Sequence, residues 1–417
     1  MAKAIKLIMV ETDGTAKVRG NNKYYNMEDL GNGQFIAKYG RVGNGESTAQ
    51  YPIHQWDTKY REKIRKGYKD VTHLFLEEAV DTNTPTKDKQ TISSKWNQMV
   101  RDVVSILQSY ARGSVTKNYN VSSANVTQRQ VDEAQSKLNS LISMGPSSSS
   151  IVDLNRLLLE FYMIIPRKMD NVHAHVLPKD ADINVLDTKL KNILSEEQMT
   201  LDVMAGQVKL KDVSNAVDVD EETDILTVSG LMLEPVNAQE EQMLRKMMGS
   251  DAGRYHRAFR VTNFKTKKAL DEYKAIIPVK NMDMLWHGSR NENWWSIMTS
   301  GLLIRPSNAI HTGSMLGDGV YFANKMAKSA GYTSLRGSYW ASGSDNRGFL
   351  AIYNVLVGNP YHIHQHTSDC YNLCKKKLQL LGNYDSVHAH AGISLRNDEI
   401  VIYDSNQSTI EYLIECR

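Results

Sequence analysis

The sequence predicts a multidomain α+β protein in three parts: a small β-sheet domain with one helix, an all-α block, and a mixed or antiparallel α+β domain. Three observations predict it. Strand signals and glycine turns fill the first 80 residues, helical apolar stripes follow over 92–210, and short apolar strands recur over 225–417. In the last part strands and helices do not alternate regularly, which argues against a doubly wound parallel sheet. The expected domains are therefore 1–80, 92–210 and 225–417, joined by polar linkers at Asp81–Thr91, with Pro85 inside it, and at Lys211–Asp224.

In the first part Ile5–Val10 is a short apolar run, and Lys23–Tyr25 and Gln34–Tyr39 alternate. Gly31-Asn32-Gly33 marks a hairpin turn, and Gly43-Asn44-Gly45 a second one. Ile53–Arg65 has helical spacing, with Trp56, Tyr60 and Ile64 on one face. Gly40–Gly45 reads G-x-x-G-x-G rather than G-x-G-x-x-G and lacks a strand-turn-helix setting, so a dinucleotide loop is rejected.

In the second part Met99, Val103, Ile106 and Leu107 form one stripe, and Val131, Ala134, Leu138, Leu141 and Ile142 another. Thr127 with Gln130 reads as a capping box. Gly145-Pro146 and the serines after it break the pattern before a helix over Ile151–Ile165, closed by Pro166. A last helix is expected around Val185–Met204. The third part is expected to carry strands at Leu226–Ser229, His256–Asn263, Met284–His287, Val320–Ala323, Phe349–Val357, Glu399–Tyr403 and Ile410–Glu415.

A formal net charge of +3 over 417 residues excludes a polycation, so any nucleic-acid surface must be local. Three cysteines are too few for a disulfide framework and fit a reducing compartment. Met1–Val10 lacks the hydrophobic core of a signal peptide, and no apolar run is long enough to span a bilayer. The expectation is a soluble intracellular protein without a membrane partner.

The chemistry concentrates in 285–332: Leu285-Trp286-His287-Gly288-Ser289-Arg290, then Gly319-Val320-Tyr321-Phe322-Ala323, then Lys328-Ser329-Ala330-Gly331-Tyr332. Downstream, Glu399 opens another apolar strand that ends in Tyr403-Asp404. A His, a Tyr and a Glu are thus set on three strands. Such a set suits cleavage of a glycosidic bond to a planar aromatic leaving group. Tyr faces stack on the ring, glycine lets backbone approach its amide, and a carboxylate steadies an oxocarbenium-like transition state.

These motifs, in this order and spacing, resemble the His-Tyr-Glu signature of the poly(ADP-ribose) polymerase family. The resemblance implies that NAD is the substrate and that no metal is needed. It implies that His287 bonds the adenine-side ribose, Tyr321 lines the nicotinamide pocket, and Gly288 presents backbone groups to the nicotinamide amide, helped by Ser329. Tyr332 would stack on the ring, Ser289 and Asn293 would contact the adenosine half, and Lys328 would lie near the reacting ribose. Glu399 would hold the ribose 2′-hydroxyl and orient the acceptor.

Tyr39-Gly40-Arg41 resembles the naming motif of the family's WGR domain, with Tyr in place of Trp, and implies a DNA-end grip through the aromatic ring and the Arg. The helical block, especially Thr127–Ile142 and Leu154–Pro166, resembles the family's autoinhibitory helical domain. The implied partners are DNA ends, protein acceptors including the chain itself, and an accessory factor completing the acceptor site. The implied location is the nucleus in a eukaryote and otherwise the cytoplasm with DNA.

Two departures bear on how a growing chain would be held: Ser314-Met315 where many relatives have Tyr, and a short segment at Leu381–Leu395. His362, His364 and His366 alternate ahead of Cys370 and Cys374, but without a CxxC pair, and a metal site is not expected there.

Overall fold

A computed structural model describes residues 3–12, 19–75, 97–121, 125–148, 150–179, 181–216, 224–304 and 315–417. The Asp81–Thr91 linker and Ser314 lie outside them. The chain divides into two compact units. The first joins the N-terminal segment with Ser114–Val208, and the second joins Lys89–Gly113 with Lys209–Ser307 and His311–Arg417. The first helix after the linker has its N-terminal turns in the second unit.

The first unit opens with strands β1 (Ala4–Glu11), β2 (Asn21–Asp29), β3 (Gln34–Arg41) and β4 (Ser47–Pro52), helix α1 (Trp56–Arg65) and strand β5 (Lys69–Asp70). They form an antiparallel sheet of order β4-β3-β2-β1-β5. Gly31 and Gly33 stand at φ 72° and 80°, which only glycine adopts readily, and Leu30 N donates to Gln34 O at 3.0 Å to close the expected β2–β3 hairpin. Leu7, Met9, Tyr25, Met27, Phe35, Ala37, Trp56 and Tyr68 form the core, with the Trp56 indole edge-on to Phe35. Ile64, expected on the buried face of α1, is 38% exposed: Trp56 alone of that helix is buried.

Helices α2 (Gln98–Asn118), α3 (Gln128–Ser148), α4 (Ile151–Ile164) and α5 (Ile183–Ala216) follow. The α3 stripe is buried as expected, and its N-terminus carries the predicted capping box: Gln130 N donates to Thr127 Oγ1 and Thr127 N to Gln130 Oε1, both at 3.1 Å. On α2 the buried stripe is Val100, Val103, Val104, Leu107 and Ala111, so Met99, at 37% exposure, is displaced by its neighbour. Helix α3 runs through Gly145-Pro146 to Ser148, one turn past the expected break, and the stop comes where Ser150 caps α4 by accepting from Asp153 N. Helix α5 continues to Ala216, into the stretch expected to be linker.

Arg167 and Glu197, 4% and 1% exposed at the side chain, pair at 2.9 Å inside this unit. Arg167 also donates to Asn118 O and Oδ1. Removing one partner leaves the other charge buried and unmatched, so Arg167→Met is expected to destabilise by about 3–5 kcal/mol. The companion Arg167→Met/Glu197→Leu variant, with no charge left to strand, should recover most of that loss. Urea unfolding followed by helical circular dichroism checks it, and a loss below about 1 kcal/mol in the single variant would refute it.

The second unit contains the first turns of α2, helix α6 (Ile225–Val228), strand β6 (Leu231–Pro235), α7 (Ala238–Met248), β7 (Tyr255–Asn263), α8 (Phe264–Ile276), β8 (Met282–Gly288), α9 (Trp294–Ser300), β9 (Val320–Ala323) and α10 (Met326–Ala330). Then come β10 (Gly348–Leu356), β11 (Pro360–Ile363), α11 (Lys375–Gly382), β12 (Ser386–Ala389), β13 (Glu399–Ile402) and β14 (Ser408–Cys416). Leu226–Ser229, expected as a strand, is a helical turn because Asp224 caps it, accepting from Leu226 N and Thr227 N.

The sheet has order β11-β12-β13-β9-β8-β10-β14-β7-β6 and is antiparallel except for the parallel β11–β12 pair, so the mixed α+β expectation holds. Its centre is β10, buried from Gly348 to Leu356 apart from Asn354, and paired with β8 and β14. Glu415, fully buried on β14, accepts from Arg257, and Arg347 and Arg417 also pair with it.

Candidate active site

Strand register builds the site. Ala323 on β9 faces Trp286 on β8 and Glu399 on β13, so a line of three residues crosses three strands. His287 follows Trp286, and Tyr321 precedes Ala323 by two. Strands β9 and β13 pair along four residues, whereas β8 and β9 share the single register position Trp286↔Ala323, beyond which they part. The register sets Tyr321 and Glu399 on one face of adjacent strands, and His287 stands where β8 and β9 part, against the Tyr321 backbone.

His287 Nδ1 lies 3.0 Å from Tyr321 O. A carbonyl only accepts, so Nδ1 carries a proton and donates it to Tyr321 O. The rings of Trp294, Phe322 and Tyr353 stand edge-on to the imidazole at 5.8–6.4 Å and hold its plane. The Tyr321 hydroxyl accepts from Leu316 N and donates to Gly317 O, both at 2.9 Å, so its ring rather than its oxygen is presented. Burial pushes that hydroxyl's pKa well up and keeps it neutral.

Gly288 ends β8 against α10. A Cβ there would stand 1.9 Å from Ser329 O, so only glycine permits this approach. Ser329 is buried on α10, and its neighbour Lys328 pairs with Glu399 Oε1. Glu399 itself is buried. Among the described residues, its Oε2 has no hydrogen-bond partner, an unusual state for a buried carboxylate oxygen outside a ligand site.

Tyr332, just past α10, is half-buried, and burial followed by the Glu399 charge pushes its hydroxyl up to about 12. Its ring stacks on Trp340 at 6.1 Å and 17°. Trp340 is 60% exposed and was not singled out from sequence, although an aromatic beside Tyr339 in a polar stretch was the available signal. Asn293 Nδ2 donates to Ser289 Oγ at 3.0 Å, bringing the two residues expected on the adenosine side into contact. Trp294, Trp295 and Met298 are fully buried core, as read from the sequence.

The other candidate set lies in the first unit. Tyr39 stacks on Tyr25 at 5.5 Å, and Lys63 Nζ sits 4.0 Å over Tyr25 and 6.0 Å over Tyr39. Gly40 passes so close to Gly45 O that a Cβ would stand 2.8 Å from it. Arg41 donates to the carbonyls of Gly20, Met169 and Asp170 at 2.9–3.1 Å, so its guanidinium ties loops of this unit together.

Of the histidine–cysteine series, Cys370 is buried in an apolar cluster and Cys374 precedes α11. His362 instead joins His388 and His390, which the sequence reading did not consider. Burial, then the neighbouring His388 and His364, hold His390 below the usual histidine range.

A profile of the poly(ADP-ribose) polymerase catalytic domain matches residues 238–417. The putative poly(ADP-ribose) polymerase-like protein 100L of Invertebrate iridescent virus 6 is 34% identical over 158 residues, 37% of this chain and 82% of that protein. Uncharacterized protein 101L of the same virus is 32% identical over 209 residues, 50% of this chain and 79% of that one. Chicken poly(ADP-ribose) polymerase 1 is 24% identical across 96% of this chain, which spans 44% of that relative's length. The profile and the matches define the class as an NAD ADP-ribosyltransferase. The chain belongs to the poly(ADP-ribose) polymerase family, whose substrate is NAD. Among the described residues, no helix is long and apolar enough to cross a membrane.

Proposed function

We propose that this protein is a DNA-end-activated enzyme that releases nicotinamide from NAD and transfers ADP-ribose to protein side chains, its own included, in a response to DNA damage. The observation that carries the chemistry is the buried Glu399 carboxylate, paired through Oε1 to Lys328 and unpartnered at Oε2. Oε2 accepts the nicotinamide-ribose 2′-hydroxyl, and its charge stabilises the oxocarbenium-like ribose as the C1′–N bond breaks and its electron pair leaves with nicotinamide. The acceptor oxygen or carboxylate then bonds C1′, and any proton it carries goes to solvent.

Gly288 and Ser329 hold the nicotinamide amide, the Tyr321 and Tyr332 rings enclose the nicotinamide ring, and His287 holds the adenine-side ribose. Ser289 and Asn293 meet the adenosine half, and Lys328 orients Glu399 beside the reacting ribose. Tyr39, Gly40 and Arg41 form the DNA-facing part of a WGR-type domain, where the Tyr39 ring, backed by the buried Tyr25, and Lys63 offer a stacking and cationic surface for a DNA terminus. The helical segment acts as the regulatory lid, opened by a population shift when DNA binds. The location that follows is wherever broken DNA is exposed, the nucleus in a eukaryotic cell.

The deciding experiment is incorporation of labelled ADP-ribose from NAD, with and without a short duplex bearing a 5′-phosphate, read on a denaturing gel. Product is expected with DNA at ten or more times the level without it. Equal product in both arms would overturn DNA activation, and no product in either would overturn the enzyme reading. The Glu399 carboxylate permits either single transfer or chain growth, so a single shifted band would favour mono-transfer and a ladder would favour polymer.

A further inference from the structure

We propose that His362, His388 and His390 form a binding site for one divalent transition-metal ion of the zinc class, at the outer edge of the sheet beside the strand that carries Glu399. The parallel β11–β12 pair sets His362 directly opposite His388, and His390 follows β12 immediately. One ligand nitrogen from each of the three lies within 4.8 Å of the other two.

His362 Nδ1 and His390 Nε2 are 2.8 Å apart, so one proton is shared between two imidazole nitrogens. A tetrahedral ion with metal–nitrogen bonds of about 2.0–2.1 Å spaces its ligands about 3.3 Å apart, so replacing that proton needs only a small separation. His388 Nε2 lies 3.0 Å from Asp398 Oδ2, which holds the proton on Nε2 and leaves Nδ1 with the lone pair. A carboxylate behind a ligating imidazole is the usual outer support of a zinc site.

His362 is exposed and the other two are half-buried, which leaves a fourth position for water and an entry path for the ion. The rings stack, His388 on His390 at 4.1 Å and His364 on His390 at 4.4 Å, so an ion shared by His388 and His390 splays those two rings.

The site has a route to the reaction centre. Asp398 accepts from His388, from Ala391 N at 2.8 Å and from Asn324 Nδ2 at 3.3 Å, and the next residue is Glu399. An ion on His388 and His390 therefore fixes the 390–398 segment at both ends. That segment leads into Glu399, so occupancy steadies the approach to that strand rather than supplying any step of the chemistry.

The test uses the full chain, stripped with a chelator and titrated with zinc by calorimetry, with bound zinc counted by elemental analysis. One equivalent is expected, and the His362→Ala/His390→Ala variant should bind at least about thirty-fold more weakly. Cys370→Ser/Cys374→Ser should bind as the parent does. Cobalt in the parent should show a tetrahedral visible spectrum without a thiolate charge-transfer band, a readout that does not depend on how the histidine variant folds. Absence of stoichiometric zinc, zinc retained by the histidine variant, or a thiolate band would each overturn the proposal.

Discussion

Glu399→Gln is expected to lower ADP-ribose transfer by a hundredfold or more while NAD affinity falls less than about tenfold. The amide keeps the shape of the carboxylate but cannot hold the negative charge that balances the forming ribosyl cation. It also leaves Lys328, 15% exposed at its side chain, facing a neutral partner. The loss therefore appears in the transition state more than in the ground state. Single-turnover incorporation at saturating NAD, alongside NAD binding by calorimetry, separates the two. Unchanged turnover would remove Glu399 from the reaction and support a DNA-binding scaffold instead.

What the sequence made legible was mostly what neighbours along the chain decide. Thr127 and Gln130 are three apart, and their reciprocal bonds follow from helix geometry. Trp294, Trp295 and Met298 repeat at helical spacing and are core. The strands that carry His287, Tyr321 and Glu399 were legible as short apolar runs, and the sheet sets them side by side as β8, β9 and β13.

What stayed hidden depends on register between distant segments. The partners of His362 lie up to 28 residues away and meet it only because β11 and β12 pair in parallel, a choice that no local pattern records. The nearer cysteines, where no metal site was expected for want of a CxxC pair, do not join them: Cys370 is buried in an apolar cluster. The charge balance of Arg167 with Glu197 was hidden for the same reason: thirty residues separate two groups that burial joins. Helix boundaries slipped where capping side chains decided them. Asp224 turned an apolar run into a helical turn, and α3 carried one turn beyond a Gly-Pro pair that reads as a stop.

Gly288→Ala tests how closely the pocket is built around backbone. The added Cβ would meet three backbone atoms of Ser329, at 1.9, 2.8 and 3.3 Å. A side chain could swing aside, but these atoms belong to α10, so the whole turn must retreat by about 1 Å before even a 3.0 Å contact is reached. The retreat takes Lys328 from Glu399 and shifts Ser329 and Tyr332 from the places the proposed mechanism needs. A misplacement of about 1 Å in positioning groups costs on the order of a hundredfold in rate. Overpacking of this kind costs about 1–3 kcal/mol, which in a unit of this size lowers Tm by about 2–10 °C. Both effects should appear together, the first in NAD turnover and the second in thermal unfolding. A Gly288→Ala protein with parental turnover and parental Tm would show that β8 and α10 do not meet as described. One with lowered Tm but parental turnover would show that α10 can move without disturbing the site, and that Lys328 does not orient Glu399.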